Sequence, residues 1–235
     1  MAAQNKILFG DFHMHTNFSK DCRTPPDKLL ESAIRVGLTC IAVTDHNTAK
    51  GGLEVQRLAR ERGAPIKVVV AEEVMTTDGE VTALFIKEDI PKLMSPMDTI
   101  RAIKSQGGLV SLPHPYDRIR HSPMKSELIP GLLPHLDIIE VFNARTTFMG
   151  DIRKAKELAE KNNMAAGAGS DAHTAWELGH VYVEFPDFNT PYEFKESLMH
   201  WKGIRARRST PLVHLFSRYA KWSKTLGCIL QGSKN

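Results

Sequence analysis

The stretch Lys6–Thr16, KILFGDFHMHT, sets the reading of the chain, because an aliphatic run suited to a buried strand ends in two histidines one residue apart. The arrangement recurs at Cys40–Thr48, CIAVTDHNT, where the run Cys40–Val43 leads directly into Asp45 and His46. Short β-branched or aliphatic runs bounded by polar turn residues are the pattern of strands covered on both faces. Further runs lie at Ile66–Val70, Val81–Ile86, Leu109–Leu112, Ile138–Val141, Ala165–Ala168 and Val181–Phe185. Helical patterns separate them. Thr24-Pro25, Ser95-Pro96, Thr190-Pro191 and Thr210-Pro211 each place a capping hydroxyl before a proline suited to a first helical turn, and Gly37, Gly63 and Gly107 fall where helices should stop. The alternation predicts a mainly parallel α/β sheet of roughly seven βα units, as a barrel or an open doubly wound sheet.

The polar residues concentrate at the ends of these runs. His13 and His15 follow the first, Asp45 and His46 the second, Glu72 and Glu73 the third, His114 the fifth, and Asp171 and His173 the seventh. In βα folds the carboxyl ends of the strands share one face, where loops converge on a single cavity. Neutral imidazoles together with carboxylates suit zinc, manganese or iron(II). One histidine in a loop carries little information. The remaining histidines, His121, His135, His180, His200 and His214, lie away from the pattern and read as structural or exposed.

Composition sets the outer bounds. The chain has 235 residues, of which 42% are hydrophobic and 25% charged, values of an ordinary globular domain. Its three cysteines, Cys22, Cys40 and Cys228, form no CxxC pair and read as reduced thiols. With no apolar run long enough to span a bilayer and no signal-peptide pattern at the N-terminus, the expected location is the cytoplasm. The net charge of +4 hides an asymmetry, since no acid follows Glu196 while eight Lys and Arg do, leaving the rest of the chain acidic. The expected division is a barrel domain over 1–208 and a basic C-terminal helix and tail over 209–235. In Thr210–Leu226 the residues Leu212, Leu215, Phe216, Tyr219 and Leu226 stand near helical spacing, with Arg218, Lys221 and Lys224 off that stripe. The stripe predicts a helix docked on the domain with its charges solvated.

DFHMHT at Asp11–Thr16, TDHNT at Thr44–Thr48, PHP at Pro113–Pro115 and SDAH at Ser170–His173 resemble, in order, the four motifs of the polymerase and histidinol phosphatase (PHP) family. The segment AEEVMTTDGE, Ala71–Glu80, resembles the stretch in which that family places a bridging glutamate, here Glu73. The resemblance implies a distorted, TIM-like (β/α)7 barrel with its metal site at the C-terminal ends of the strands, binding two or three divalent ions (Zn, Mn or Fe). By position, His13, His15, Glu73 and Asp171 match the ligands of a first metal. Glu73 and His114 match a second, and Asp21, His46 and His173 a third. Where many members carry a further histidine after the bridging glutamate, this chain has Thr82.

The implied activity is metal-dependent hydrolysis of a small phosphomonoester through a metal-activated hydroxide, with Glu73, Asp171 and His173 as catalytic residues. Arg118, Arg120, Asn143 and Arg145 are the candidate phosphate contacts, guanidinium groups being able to grip phosphate oxygens in pairs. Asp45 is expected to orient His46. The alternatives are a nucleotide phosphodiesterase or 3'-5' exonuclease, which needs a basic groove leading to the metals, and a non-catalytic PHP-like binding module. Hydrolysis of a carbon–nitrogen bond is a further alternative. No nucleic-acid motif favours a nucleic-acid partner, and nothing in the sequence addresses oligomeric state.

Overall fold

A computed structural model describes residues 6–120, 122–210 and 213–232. In chain order its elements are β1 (Ile7–Asp11), α1 (Pro26–Arg35), β2 (Cys40–Val43), α2 (Lys50–Glu61), β3 (Lys67–Met75), β4 (Glu80–Leu84), α3 (Pro96–Ser105), β5 (Leu109–Leu112), α4 (Ile129–Leu132), β6 (Ile138–Asn143), α5 (Met149–Lys161), β7 (Ala165–Gly169), β8 (Val181–Pro186), α6 (Pro191–Met199), β9 (Gly203–Ala206) and α7 (Val213–Gly232). The strands form one sheet in the order β7-β6-β5-β4-β3-β2-β1-β8-β9.

The sheet curls into a nearly closed barrel. Just past β1 and β7, Phe12 N donates to Ala168 O at 3.1 Å, His15 N to Ala172 O at 2.9 Å and Asp171 N to His13 O at 2.7 Å. These bonds bring the two ends of the seven-strand row together at the mouth, where the histidine motifs sit. The lower half of β1 is paired instead with antiparallel β8, Ile7 lying opposite Pro186 and Gly10 opposite Val183. Below the seam Phe12 packs edge-on against Phe185 and Phe194, with ring centroids 5.4 and 5.1 Å apart. This aromatic packing anchors β1 and fixes the direction in which its C-terminal end delivers His13 and His15.

The expectation of a mainly parallel sheet needs correction. Pairings β1–β2, β2–β3, β5–β6 and β6–β7 are parallel, while β3–β4, β4–β5, β1–β8 and β8–β9 are antiparallel. The physical reason at β4 is chain length. Residues 76–79 are far too few for a crossover, so β4 must return as a hairpin. The third strand also extends to Met75, which places Glu72 and Glu73 inside β3 rather than beyond it.

Helix ends follow the sequence in part. Ser95 and Thr190 accept from Asp98 N and Glu193 N, while Gly37, Gly63 and Gly107 stop α1, α2 and α3 at φ of 84°, 57° and 77°. Thr24 is not a cap, because α1 starts a residue later with Pro25 at its cap position and the Thr24 hydroxyl turns to His173 O. Pro211 and Leu212 lie outside the described residues, as do His121 and the side chains of His214, Leu215, Leu226 and Cys228. Among the described side chains of α7, Val213 and Ala220 are buried, whereas Phe216 and Tyr219 are exposed. Of the expected stripe, Phe216 and Tyr219 are thus on the open side, while Leu212 and the side chains of Leu215 and Leu226 lie outside the described residues. Lys224 turns inward, donating to Asn17 O and Ser19 O at 2.7 Å each. Among the described residues no helix is long and apolar enough to cross a membrane.

Candidate metal centre

Each candidate ligand projects from the barrel mouth, and several sit on unusual backbone. His114 and Asp171 have φ of 29° and 53°, and Asn47, beside His46, has 55°. Left-handed conformations of this kind are uncommon for residues other than glycine, and they gather at sites that need a side chain aimed against its ordinary direction.

Glu73 occupies the middle. Its Oε1 lies 2.9 Å from His114 Nε2 and 3.5 Å from His13 Nε2, and its Oε2 lies 3.1 Å from His46 Nδ1 and 3.7 Å from His15 Nε2. Asp171 Oδ1 sits 3.3 Å from His15 Nε2 and 3.4 Å from His173 Nδ1. Asp21 reaches His46 Nε2 with one oxygen at 3.5 Å and His173 Nε2 with the other at 3.4 Å. Donors bonded to one zinc-like ion at roughly 2.1 Å in tetrahedral geometry stand about 3.4 Å apart, the spacing seen here.

A ring of supporting contacts sets the histidine tautomers. His13 Nδ1 faces Glu140 Oε1 at 3.0 Å, and His173 Nδ1 faces Asp171 O at 2.9 Å. Both acceptors lack hydrogen, so each Nδ1 carries the proton and each Nε2 turns a lone pair toward the centre. For His15 the chain runs one step further. The Ser19 hydroxyl donates to Asp45 Oδ1 at 2.5 Å and so accepts from His15 Nδ1 at 3.1 Å. Asp45 also accepts from Thr16 N and Thr16 Oγ1 at 2.7 and 2.5 Å. It acts on His15 through the 16–19 turn, and reaches His46 through the same Ser19 hydroxyl, which accepts from His46 N at 3.0 Å. Helix α2 crosses so close that a Cβ on Gly51 would stand 1.8 Å from Asp45 Oδ2.

The polar atoms suit a bound cation. Among the described residues, the buried side-chain atoms with no hydrogen-bond partner are mostly here: His13 Nε2, His15 Nε2, Asp21 Oδ1, Glu73 Oε2, Glu80 Oε2, His114 Nδ1 and Asp171 Oδ1. Such atoms carry a desolvation penalty unless something pairs with them. Electrostatics agree. Burial pushes Glu73 and Asp171 up, but the imidazoles around Glu73, and Arg120 and His13 beside Asp171, outweigh it and hold both carboxyls well below their usual range. Burial lowers His15 to about 3, helped by His173 and His46, so this ring is a neutral donor.

Sequence reasoning missed three participants. Glu80 is 3% exposed, with its carboxylate 3.7 Å from both His46 Nδ1 and His114 Nε2. Because β4 runs backwards, its first residue lies at the same mouth as the last residues of the parallel strands. Thr82 pairs with Glu73 in register, and Glu80, two residues away, shares its face one pleat closer to the opening. Glu140 braces two sites at once, its Oε2 accepting from His114 N at 2.7 Å while Oε1 holds His13. Cys22 ties the ends of two motifs together through His15 O and His173 O at 3.2 and 3.0 Å.

The expected phosphate contacts are mostly engaged elsewhere. Arg145 is 5% exposed and pairs with Glu177, with Ser217 of α7 on its Nη1, so it does not face the mouth. Arg118 grips Asp151 beside α5. Arg120 lies against Asp171 and Asp117, and Asn143 Nδ2 donates to Asp171 Oδ2 and Glu140 Oε2 at 3.2 Å each. Both thus position Asp171. Glu72 faces away from the centre and accepts from Ile90 N at 2.9 Å. His135 and His200 are exposed, and His180 packs against Trp176.

A barrel of this shape with imidazoles and carboxylates converging at its mouth belongs to the TIM-like folds whose centres hold divalent cations. The PHP domain family model matches residues 11–165 and the PHP-associated model residues 150–199. The chain belongs to the PHP family. It is 42% identical over 145 residues to the uncharacterized protein MJ1587 of Methanocaldococcus jannaschii, covering 57% of this chain and 81% of that one. A two-domain Bacteroides vulgatus protein described as containing a predicted PHP-like metal-dependent phosphoesterase superposes with TM-score 0.68 at 19% identity, covering 83% of this chain and 63% of its own length. Endonuclease Q, in complex with a 27-mer duplex carrying an abasic lesion, superposes with TM-score 0.60 at 15% identity, covering 85% of this chain and 58% of its own. At such identities the likeness speaks for the fold.

Proposed function

We propose that the chain is a metal-dependent phosphoesterase whose basic reaction is hydrolysis of a phosphomonoester. The observation that carries this reading is Glu73, buried among His13, His46 and His114 with its Oε2 in no hydrogen bond among the described residues. His13, His15, Glu73 and Asp171 would hold one ion, Glu73, His114 and Glu80 a second, and Asp21, His46 and His173 a third. Glu80 takes over where Thr82 offers no imidazole, which favours ions tolerant of oxygen donors, manganese or iron(II), beside zinc. When bound, such ions make hydroxide available near neutral pH and neutralise charge on phosphoryl oxygens.

The protein's own part is positional. Asp171 is held through Oδ2 by Arg120 and Asn143, which leaves Oδ1 aimed at the centre. His173, with its proton fixed on Nδ1 by Asp171 O, presents Nε2 beside Asp21, where the two would hold the third ion. Arg120 sits close enough to Asp171 to meet a phosphoryl oxygen at the same place. Buried Cys22 and Cys40 carry free thiols, which suits a reducing compartment such as the cytoplasm.

Protein purified without chelator should contain divalent metal and hydrolyse a phosphomonoester panel faster with added manganese. Metal content near zero, with no gain in hydrolysis on adding manganese, would favour the non-catalytic module instead.

A further inference from the structure

Helix α7 has two faces of different make-up. Val213, Ser217, Ala220 and Lys224 stand at the spacing of one side of a helix, and that side is engaged with the barrel. Val213 and Ala220 are buried, Ser217 Oγ accepts from Arg145 Nη1 at 2.8 Å, and Lys224 Nζ donates to Asn17 O and Ser19 O. On the other side Phe216, Tyr219 and Trp222 follow one another at intervals of three residues, 52%, 56% and 61% exposed. Trp176, on the β7–β8 connection and itself exposed, extends the row with its ring 6.0 Å from that of Phe216. Arg23, from the β1–α1 loop, lies over the Tyr219 ring at 5.8 Å. In the sequence the same spacing continues with Leu226, Ile229 and Leu230.

Large aromatic side chains left in water in one contiguous row mark a surface that meets a partner. Charge selects the kind of partner. Val213–Gly232 holds Arg218, Lys221 and Lys224 and no acid, and no acid follows Glu196 anywhere in the chain. A second copy seated on this face about a two-fold axis would set these bases against their own counterparts, which costs free energy. A nucleic acid would meet the bases, but its phosphates and sugars offer no cover to the aliphatic continuation of the row. An anionic bilayer meets both needs. Its headgroups pair with Arg23 and Arg218, the Tyr219 and Trp222 rings rest at headgroup level, and the aliphatic residues reach the acyl boundary. The bases within α7 keep such a helix in the plane of the interface, not across it.

We propose that the outer face of α7, together with Trp176 and Arg23, docks the protein on an anionic lipid surface. The proposal goes beyond the phosphoesterase reading and does not rest on it. The full chain is mixed with vesicles of phosphatidylcholine alone, or of phosphatidylcholine with an equal part of phosphatidylglycerol, and the bound fraction is measured by flotation. Partitioning should be about tenfold stronger on the mixed vesicles at low salt and should fall as salt is added. Tryptophan emission should shift to the blue on binding, as Trp176 and Trp222 leave water. The double variant Tyr219→Ser/Trp222→Ser should lower partitioning about tenfold, and Arg218→Gln about fivefold. Tyr192→Ser, which removes an exposed ring from α6, should leave it as in the wild type. All the substituted side chains are exposed, so circular dichroism should match the wild type in each case. If the double variant misfolds, Arg218→Gln against Tyr192→Ser still decides.

Equal partitioning on neutral and mixed vesicles, or partitioning unmoved by Arg218→Gln and by the double variant, overturns the proposal. Two further results would give the face to another occupant and overturn it as well. One is a dimer in sedimentation equilibrium that the double variant dissolves, with no vesicle binding by the wild type. The other is a complex with oligothymidine that the double variant weakens, again with no vesicle binding.

Discussion

The two sides of the metal centre are built differently. His13, His15, His114 and Asp171 are buried, and supports of their own hold them: Glu140 beneath His13 and His114, Ser19 with Asp45 behind His15, Arg120 and Asn143 behind Asp171. Asp21 and His46, at 25% and 23% side-chain exposure, have little support beyond Glu73, Glu80, His173 and each other. The inner side is preorganised at the expense of desolvation, so it should bind its ion tightly and tolerate change badly. The outer side faces an open cavity of about 590 Å³ lined also by Lys20, Lys50, Lys92 and Lys221. A centre that both retains metal and releases product needs this asymmetry.

The sharpest way to break the comparison is to remove an inner ligand. Asp171→Ala should take turnover to background while circular dichroism shows an intact barrel, and His15→Ala should do the same. Retained activity in Asp171→Ala would refute the ligand assignment. His200→Ala, on an exposed residue far from the mouth, should keep near-normal rates.

Next come the supports. Glu140→Gln keeps the shape but gives up a charged acceptor for His13, and should lower metal affinity or activity by about 10- to 100-fold. Equilibrium dialysis against a metal buffer would measure the shift. On the outer side, Glu80→Gln should weaken one ion by about tenfold at most and leave the others, read as a lost equivalent in metal analysis. If Glu80→Gln strips every ion while Glu140→Gln strips none, the inner and outer assignments are reversed.

How far the sequence reaches depends on how local each cause is. The strands announce themselves because fully covered β-sheet demands aliphatic runs, and the ligands at β1, β2, β5 and β7 announce themselves because parallel strands end at one mouth. Glu80 is hidden by the reversal of β4, which turns the start of a strand into a mouth position. Glu140 is hidden because its importance lies in reaching His13 across 127 residues of sequence. Arg145 looks like a phosphate ligand until Glu177 and Ser217 are seen beside it, contacts that only the closed fold creates. Strand β9, GIRA at Gly203–Ala206, is short and partly exposed, so it lacks the apolar run that marks the others.

The comparison narrows to two neighbours, Glu72 and Glu73. They share one strand and one residue type, yet alternation sends them to opposite faces. Glu73 meets imidazoles and is held ionised, whereas Glu72 has only Ile90 N as hydrogen-bond partner among the described residues, and burial pushes its carboxyl up to about 7, with Asp89 adding to the rise. An acid whose folded pKa lies above its unfolded value keeps a proton that the unfolded chain has already released. Glu72 therefore stabilises the fold fully at low pH, and this contribution is lost as pH rises from about 4.5 to about 7. Glu72→Gln keeps an acceptor for Ile90 N and removes the titration. The variant should match the wild type near pH 4 and exceed it by roughly 1–3 kcal/mol at pH 8, measured by denaturant melts of the metal-free protein at both values. Parallel stability curves would mean that Glu72 stays ionised in the fold, and that burial alone does not distinguish these two carboxylates.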